Sequence, residues 1–329
     1  MPEQPYDRLS HVVAWGLLCA ALAQIWVGGL VTTCDAGMAV PDWPNTFGHV
    51  VFLYPPGKWL AAPGDAWGLF LQQGHRLLGT CVGLLSVGLA VVLWRRDRRR
   101  WMKWLALAAV AGVCLQGLLG GLRVIRDDVF LAGLHGCTAP LLFALGAAVV
   151  TFTSRRWQTA EAPGEHPGAR TLHGTALLLA CGVYLEIVLG APVRHVPASA
   201  SPDWFAAWVW LHLIVAGLLA AGAVWLLVYA AWRLPGQRQI ARLAVVLGLL
   251  LAAELLSGGA AWMAGFGFPE WFRDHVWAVG YTVVEQGRLQ VWSRTAHAAL
   301  GPLCLATAVS LVLWSRGRLH PEESAGKRG

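Results

Sequence analysis

Apolar runs of membrane-spanning length fill most of the chain, and short polar clusters separate them. An α-helix needs about 20 apolar residues to cross the hydrocarbon core of a bilayer. Lipid offers no partners to backbone N–H and C=O groups, so these runs are predicted to be helices, which satisfy such groups internally. The predicted spans lie at about 11–31, 72–94, 104–122, 130–152, 172–192, 206–232, 243–264 and 291–314. We therefore predict an all-α integral membrane protein with eight transmembrane helices.

The composition agrees with a chain embedded in lipid. Only 13% of its 329 residues are charged, whereas a soluble domain carries about a quarter. The formal net charge of +7 comes largely from basic clusters after the second, fourth, sixth and eighth predicted helices. This placement is the positive-inside pattern of cytoplasmic loops, and it argues against nucleic-acid binding. Both termini are accordingly predicted to be cytoplasmic.

A four-fold internal repeat organises these helices. Each odd-numbered helix carries an amide or an acid followed, four residues later, by two small residues; these polar residues are Gln24, Gln116, Glu186 and Glu254. Each even-numbered helix carries a histidine with a small residue four positions later; the pairs are His75/Gly79, His135/Ala139, His212/Ala216 and His297/Gly301. The polar segment 154–171 is the predicted cytoplasmic linker between an N-terminal half, 1–153, and a C-terminal half, 172–329. Each half is predicted to form a four-helix bundle.

The four matched histidines are candidate haem ligands. A spacing of four places the small residue on the same helix face as the histidine. Haem between helices needs an axial nitrogen and a flat wall beside the ring, and bundles build such sites from facing helices. His75 with His135 would serve the first half, and His212 with His297 the second. The alternative for each histidine is an interfacial position or an ordinary interhelical hydrogen bond.

Other polar groups lie near the same helix ends. Five arginines are candidate partners for haem propionates, although snorkelling to the interface would also explain them; these are Arg76, Arg123, Arg126, Arg194 and Arg294. The intramembrane carboxyls Glu186 and Glu254 are functional candidates by position. An interhelical hydrogen bond is the alternative role for both acids.

Motifs along nearly the whole chain carry a family resemblance. They are Pro41-Asp42-Trp43-Pro44, the HRLLG segment 75–79, the LGAPVRH segment 189–195 and the TAHAALG segment 295–301. Together they resemble the haem A synthase (CtaA/Cox15) family. The resemblance implies an oxidoreductase that converts the C8 methyl group of haem O into the formyl group of haem A, for assembly of a terminal oxidase.

The family also implies particular roles and surroundings. Haem b would be held by His212 and His297, and the substrate haem by His75 and His135. From their position at the helix ends, Arg76, Arg194 and Arg294 are the predicted cofactor-binding arginines. The location would be the bacterial inner membrane. Its lipid bilayer is the first expected partner, haem O synthase and terminal-oxidase assembly factors are further candidates, and a homo-oligomer is compatible with the pattern.

Gln72 departs from the family pattern, which places a glutamate three residues before the first histidine. An amide keeps the shape of that candidate catalytic side chain but has no titratable proton, so the resemblance leaves activity open here. The alternative is a non-catalytic bis-histidine membrane haem protein or assembly factor of the same family. A repeat-built transporter is a third hypothesis, and it predicts no haem.

Overall fold

The computed structural model describes residues 5–60, 66–159, 164–166, 168–233, 236–268 and 282–321. Within these residues, eight helices are long and apolar enough to cross a membrane. Their bounds are α1 Arg8–Thr33, α2 Ala66–Arg96, α3 Arg100–Arg126, α4 Val129–Thr153, α5 Ala169–Arg194, α6 Pro202–Arg233, α7 Arg238–Phe266 and α8 Arg288–Arg318. The predicted all-α integral membrane fold with eight transmembrane helices is confirmed. Each helix extends beyond its predicted apolar span at both ends, by one to six residues.

Short elements lie between the long helices. A 3-10 turn covers Ala36–Met38, and short helices cover Pro56–Leu60 and Arg155–Gln158. Strands β1, Gly164–His166, and β2, Leu319–Pro321, pair in parallel. Part of the predicted linker 154–171 is therefore helix or strand. Its residues 160–163 and 167 lie outside the described residues.

Large apolar side chains cover the outside of the bundle. Leu84, Leu178 and Leu256 each keep between 67% and 76% of their surface exposed. A monomeric soluble protein rarely exposes so much contiguous apolar surface, whereas a lipid-facing helix requires it. The exposed faces of the helices therefore form the surface that meets the bilayer.

The turn between α3 and α4 shows how local chemistry sets the helix ends. Asp127 ends α3 in the left-handed conformation, with φ of 48°. The Asp128 carboxylate then accepts hydrogen bonds from the N–H groups of Phe130 and Leu131. An acid at this capping position satisfies donors that the first helical turn leaves free. The chain thus reverses within two residues, so α3 and α4 lie side by side.

Each odd-numbered helix packs against the even-numbered helix that follows it, as α1 does against α2 and α7 against α8. Helix α8 also packs against α1, α4 and α5, so the two halves meet around it. The buried apolar residues form one large cluster in each half. Ala144 of α4 joins the second-half cluster and Ala306 of α8 joins the first, which ties the two cores together.

Candidate haem site

The four candidate histidines all lie at one end of the bundle, which we call the site end. It is the end where α1 finishes at Thr33 and α2 begins at Ala66. Each histidine ring packs on a glycine of the preceding odd-numbered helix. A Cβ at that glycine would come within 2.8 to 3.2 Å of the histidine Cε1; the pairs are Gly28/His75, Gly120/His135, Gly190/His212 and Gly258/His297. Real Cβ atoms essentially never approach closer than 3.0 Å and seldom closer than 3.4 Å, so glycine gives each ring its place.

The repeat-position amides and acids contact the same histidines. The side-chain nitrogen of Gln24 lies 3.2 Å from Nε2 of His75. In the second half, Oε1 of Glu186 lies 3.0 Å from Nδ1 of His212, and Oε2 of Glu254 lies 2.5 Å from Nδ1 of His297. These are interhelical contacts, as the alternative role proposed, but their partners are the candidate ligands themselves.

Gln116 completes the set in the third helix. With its amide turned to satisfy both ends, the nitrogen donates to Nδ1 of His135 at 2.9 Å and the oxygen accepts from Oγ1 of Thr138. In the opposite orientation the nitrogen donates to Thr138 Oγ1 at 2.5 Å. The first orientation satisfies both groups, because the amide nitrogen donates to His135 and the amide oxygen accepts from Thr138. Each of the four histidines therefore has one ring nitrogen within 3.2 Å of the repeat-position amide or acid of the preceding helix.

The two second-half histidines are neighbours that would serve as ligands of one haem. The ring centroids of His212 and His297 are 6.1 Å apart, with an interplanar angle of 85°. The side chains of His212 and His297 remain 19% and 32% exposed, so a ligand can reach them.

In the first half, His75 carries the signature of a missing partner. Its Nδ1 is buried and has no hydrogen-bond partner among the described residues, which is also true of Nδ1 of His212 although a Glu186 oxygen lies 3.0 Å away. An unpaired buried polar atom is costly, and a metal bond or an unplaced ligand group is one way to satisfy it. Gln24 lies against the other nitrogen, Nε2. A metal bond at Nδ1 requires the proton on Nε2, and therefore requires the Gln24 oxygen, which has no partner among the described residues, to face the ring. The residues present therefore fit haem in this half too.

The small residue four positions after each histidine was expected to form a flat wall for haem. At two positions the structure gives it a different neighbour. A Cβ at Gly79 would lie 3.0 Å from the side-chain nitrogen of Gln24, and one at Gly301 would lie 3.1 Å from Oε1 of Glu254. Gly79 and Gly301 leave space for Gln24 and Glu254 to reach the histidine rings, because each of these side chains passes directly over the glycine.

The loop between α1 and α2 is fixed over the first-half site by two buried glutamines. The Gln72 amide accepts a hydrogen bond from the Val40 N–H and donates to the Gly37 carbonyl at 2.7 Å. Gln73 accepts from the Thr46 hydroxyl at 2.9 Å and donates to the carbonyl of residue 51 at 2.8 Å. Gln72 is 3% exposed and Gln73 is fully buried. Gln72, predicted as a catalytic side chain, therefore has both ends of its amide engaged by loop backbone.

A known protein family matches the part of the chain that contains the first-half site. The family model described as "Cytochrome oxidase assembly protein", COX15-CtaA, matches residues 11–207. The chain belongs to this family. The matched segment includes His75 and His135 of the first half, together with the loop between α1 and α2. His212 and His297 follow the matched segment, so the evidence for the second-half site comes from the internal repeat and its geometry.

Several relatives carry the name Heme A synthase. That of Shouchella clausii (strain KSM-K16) is 28% identical over 204 residues, which cover 60% of this chain and 62% of the relative. That of Symbiobacterium thermophilum is 32% identical over 195 residues, covering 56% of this chain and 58% of the relative. That of Chelativorans sp. (strain BNC1) is 35% identical over 159 residues, covering 46% and 41%. The chain thus aligns with less than two thirds of the length of each of these COX15-CtaA relatives.

Arg76 and Arg123 also donate hydrogen bonds to backbone carbonyls of the loop between α1 and α2. Arg76 donates to the carbonyls of Val40, Asp42 and Asn45 at 2.6 to 2.9 Å, so it anchors the first loop. Arg123 donates to the Gly37 carbonyl at 2.7 Å in the same loop. These hydrogen bonds occupy the Arg76 guanidinium. The propionate role predicted for Arg76 stays a prediction.

Asp42 of the PDWP motif holds the turn that follows it. Its carboxylate accepts the N–H groups of Phe47 at 2.8 Å and Gly48 at 2.9 Å. Partial burial opposes ionisation, but these two hydrogen bonds and the nearby Arg76 charge outweigh it and lower the pKa of Asp42. A charged Asp42 therefore shapes the turn that carries Thr46 onto Gln73.

Arg194 joins the two halves at the site end. It donates to the Gly29 carbonyl and to the Thr33 hydroxyl, both at 2.9 Å, and to the Arg294 carbonyl at 3.1 Å. Arg294 itself lies against Gly265 of α7. The propionate role predicted for Arg194 and Arg294 stays a prediction. Through its hydrogen bonds, Arg194 connects α5 to α1 and α8.

His195 follows directly after α5 and faces the first half, where its Nε2 would lie 3.9 Å from a Cβ at Gly136. Burial, together with the positive charges of Arg194 and Arg123, lowers the pKa of His195 to about 4. The imidazole is therefore neutral near pH 7. His195 lies outside the four-fold repeat.

Two further histidines occupy matched positions that sequence reasoning missed. Nδ1 of His11 lies 3.1 Å from the Thr153 hydroxyl, and Nδ1 of His173 lies 3.0 Å from the Ser315 hydroxyl. Both pairs are 142 residues apart in the chain and link the first helix of a half to its last. That equal spacing is the sequence signal that would have found them.

Proposed function

We propose that this protein is a haem A synthase that oxidises the C8 methyl group of haem O to a formyl group, giving haem A for terminal oxidase assembly. The observation that carries the proposal is the four-fold contact of a glycine and an amide or acid with each histidine. It occurs in a chain of the COX15-CtaA family whose relatives are named Heme A synthase. Two paired ligand sets in one chain suit a substrate haem and a resident haem.

The two halves take different tasks in this proposal. The first half, 1–153, binds the substrate haem through His75 and His135. The second half, 172–329, holds haem b through His212 and His297, and the linker 154–171 joins them on the cytoplasmic side. When bound, haem b supplies a one-electron redox centre beside the substrate. Arg76, Arg194 and Arg294 are the proposed partners of the propionates.

The protein's own residues orient the substrate and shield it. Gln24 and Gln116 engage one nitrogen of each first-half histidine, which fixes the direction of the ring. The loop between α1 and α2 is held over α2 by Gln72 and Gln73. A cover of this kind limits the access of water to the reacting methyl group. We therefore assign Gln72 a positioning role in place of the proton transfer predicted for a glutamate.

The membrane setting follows the positive-inside pattern. We propose the bacterial inner membrane, with both termini cytoplasmic and the site end outside. Haem O synthase and terminal-oxidase assembly factors are the proposed partners, because one supplies the substrate and the others consume the product.

The test is expression of the full chain with a haem O producer, followed by extraction of the haems and identification of their side chains. Haem A should appear with the wild type and disappear with His75→Ala. The matched control is Ser315→Ala, which removes the partner of a histidine at the other end of the bundle and should leave haem A unchanged. Haem O and haem b alone, from a folded and haem-loaded wild type, would contradict the synthase proposal.

One observation favours a second function, a non-catalytic bis-histidine haem protein. The position of the family glutamate is Gln72, and its amide is saturated by loop backbone. Gln72→Glu would separate the two functions. Haem A formed only by the variant would support the non-catalytic alternative, whereas haem A formed by the wild type would exclude it.

A further inference from the structure

The groups that back the four histidines differ between the two halves. Amides from Gln24 and Gln116 stand behind His75 and His135, at 3.2 and 2.9 Å. Carboxyls stand behind the other two histidines: Glu186 at 3.0 Å from Nδ1 of His212, and Glu254 at 2.5 Å from Nδ1 of His297. The helix positions are equivalent. Gln24 contacts Nε2 of its histidine and the other three partners lie against Nδ1, so the difference that separates the two halves is the chemical type of the partner.

The carboxyl oxygens of Glu186 and Glu254 lie 3.0 and 2.5 Å from Nδ1 of their histidines. An ionised carboxylate accepts hydrogen bonds and does not donate them, so in that form it would favour the proton on Nδ1 and leave the electron pair on Nε2 for a metal. When Nδ1 donates to an ionised carboxylate, the negative charge makes the imidazole a more basic ligand. Ser257 adds a hydroxyl 3.4 Å from the same Nδ1 of His297. The second-half histidines are therefore suited to bind a haem iron permanently.

An amide allows the proton on either ring nitrogen. In the orientation that satisfies both groups, the Gln116 nitrogen donates to Nδ1 of His135, which leaves the proton on Nε2 and no electron pair for a metal there. Turned over, the Gln116 oxygen faces the ring while the nitrogen binds Thr138 at 2.5 Å. Thr138 thus serves either orientation. Gln116 can support His135 with or without a metal bond, as an exchangeable site requires.

We propose that this difference sets which haem stays and which leaves: Glu186 and Glu254 are positioning residues that retain the second-half haem, and Gln24 and Gln116 permit release from the first half. The inference rests on the proposed function, since it takes both histidine pairs as haem ligands. It goes beyond that function by assigning the order of retention to four residues behind the ligands.

The test measures haem transfer from the purified full-length protein, loaded with haem b in both halves, to excess apomyoglobin. Assignment to a half uses His75→Ala and His297→Ala preparations. Wild type should lose first-half haem faster. Loss of a group behind a metal-ligating histidine typically changes metal affinity by 10–100-fold, so Glu254→Gln should speed second-half transfer by about that factor. Ser315→Ala is the matched control and should change neither rate.

Reduction potentials give a readout that a purely structural role would not move. Replacing a charge-assisted partner by a neutral amide makes the ligand less basic, so Glu254→Gln should raise the potential of the second-half haem. A tenfold change in the oxidised-to-reduced ratio corresponds to 59 mV for one electron. The reciprocal change Gln116→Glu should lower the potential of the first-half haem and slow its transfer by a similar factor.

The outcomes separate the two proposals. Haem in both halves with equal transfer rates, unmoved by Glu254→Gln, overturns this inference and leaves the proposed function intact. Absence of haem from both halves of the folded wild type overturns the proposed function itself. If Glu254→Gln does not fold, Gln116→Glu decides, because unchanged transfer and potential in that variant contradict the role assigned to the partners.

Discussion

Removing the Gln72 amide should loosen the loop between α1 and α2. The amide accepts the Val40 N–H and donates to the carbonyls of Gly37 at 2.7 Å and Val40 at 3.4 Å. Gln72→Leu keeps the approximate volume and removes all three bonds. Val40 is fully buried, so its N–H would lose its partner without gaining water. Leaving one buried backbone group unsatisfied costs about 1–3 kcal/mol.

The size of the effect follows from that cost. A change of 1.4 kcal/mol is tenfold in an equilibrium constant, so local opening of the loop should become roughly 5- to 150-fold more frequent. Gln72→Glu should behave differently. Its carboxylate still accepts from Val40, but the donor to Gly37 is lost, and the expected cost is about 1 kcal/mol, or roughly fivefold. Arg123 still supplies a hydrogen bond to the Gly37 carbonyl, which limits the loss.

Hydrogen–deuterium exchange of the purified protein in detergent measures this opening directly. Peptides from 34–60 should exchange fastest in Gln72→Leu, at an intermediate rate in Gln72→Glu and slowest in the wild type. Gln158→Leu is the matched control, because that glutamine bonds the Phe152 carbonyl at the other end of the bundle. Equal loop exchange in Gln72→Leu and the wild type would refute the positioning role.

Three other predictions use separate features of the structure. Gly28→Ala or Gly190→Ala should lower haem content in its own half by about tenfold or more, because a Cβ would meet the histidine ring. Arg194→Gln should lower the free energy of unfolding by about 2–3 kcal/mol, measured by thermal denaturation, because it removes charge-assisted bonds between the halves. His195 should make stability depend on pH. Its pKa is about 4 in the folded protein, below the ordinary value of 6.5, so the unfolded chain binds the extra proton and stability falls as pH drops from 6.5 towards 4.

Each of these predictions has its own control. Gly16→Ala introduces a Cβ into open space and should leave haem content unchanged, so a loss equal to that of Gly28→Ala would contradict the packing explanation. For Arg194, a variant as stable as the wild type would show that its hydrogen bonds do not hold the halves together. His195→Gln does not titrate and should lose less stability between pH 6.5 and 4. Identical pH profiles would contradict the assignment to His195.

The eight helices and the matched positions of the four histidines could be predicted from the sequence, because apolar length and a spacing of four residues are local properties. The partner of each ring was not predictable in the same way. The pattern placed Gly79 beside a haem, yet the structure places it beside Gln24, since which helix faces His75 depends on packing between distant segments. Arg76 shows the same limit: its position at a helix end suggested propionates, whereas its hydrogen bonds go to loop carbonyls.

The loop between α1 and α2 was the least predictable part. Its shape depends on hydrogen bonds from Gln72, Gln73 and Arg76 to backbone atoms 22 to 36 residues away. A sequence pattern names such side chains but does not say which carbonyl each one meets. The family resemblance identified Gln72 as a departure from the family pattern. The structure shows that its amide forms hydrogen bonds with the backbone of Val40 and Gly37.

Haem analysis of the full-length protein tests the central claim most directly. The chain is expressed with a haem O producer, purified, and its haems are extracted and identified by their porphyrin side chains. The wild type should yield haem A together with haem b. His75→Ala, in which the second-half pair His212 and His297 is intact, should yield haem b without haem A. A folded wild type that carries only haem O and haem b, or no haem at all, would contradict the proposed function.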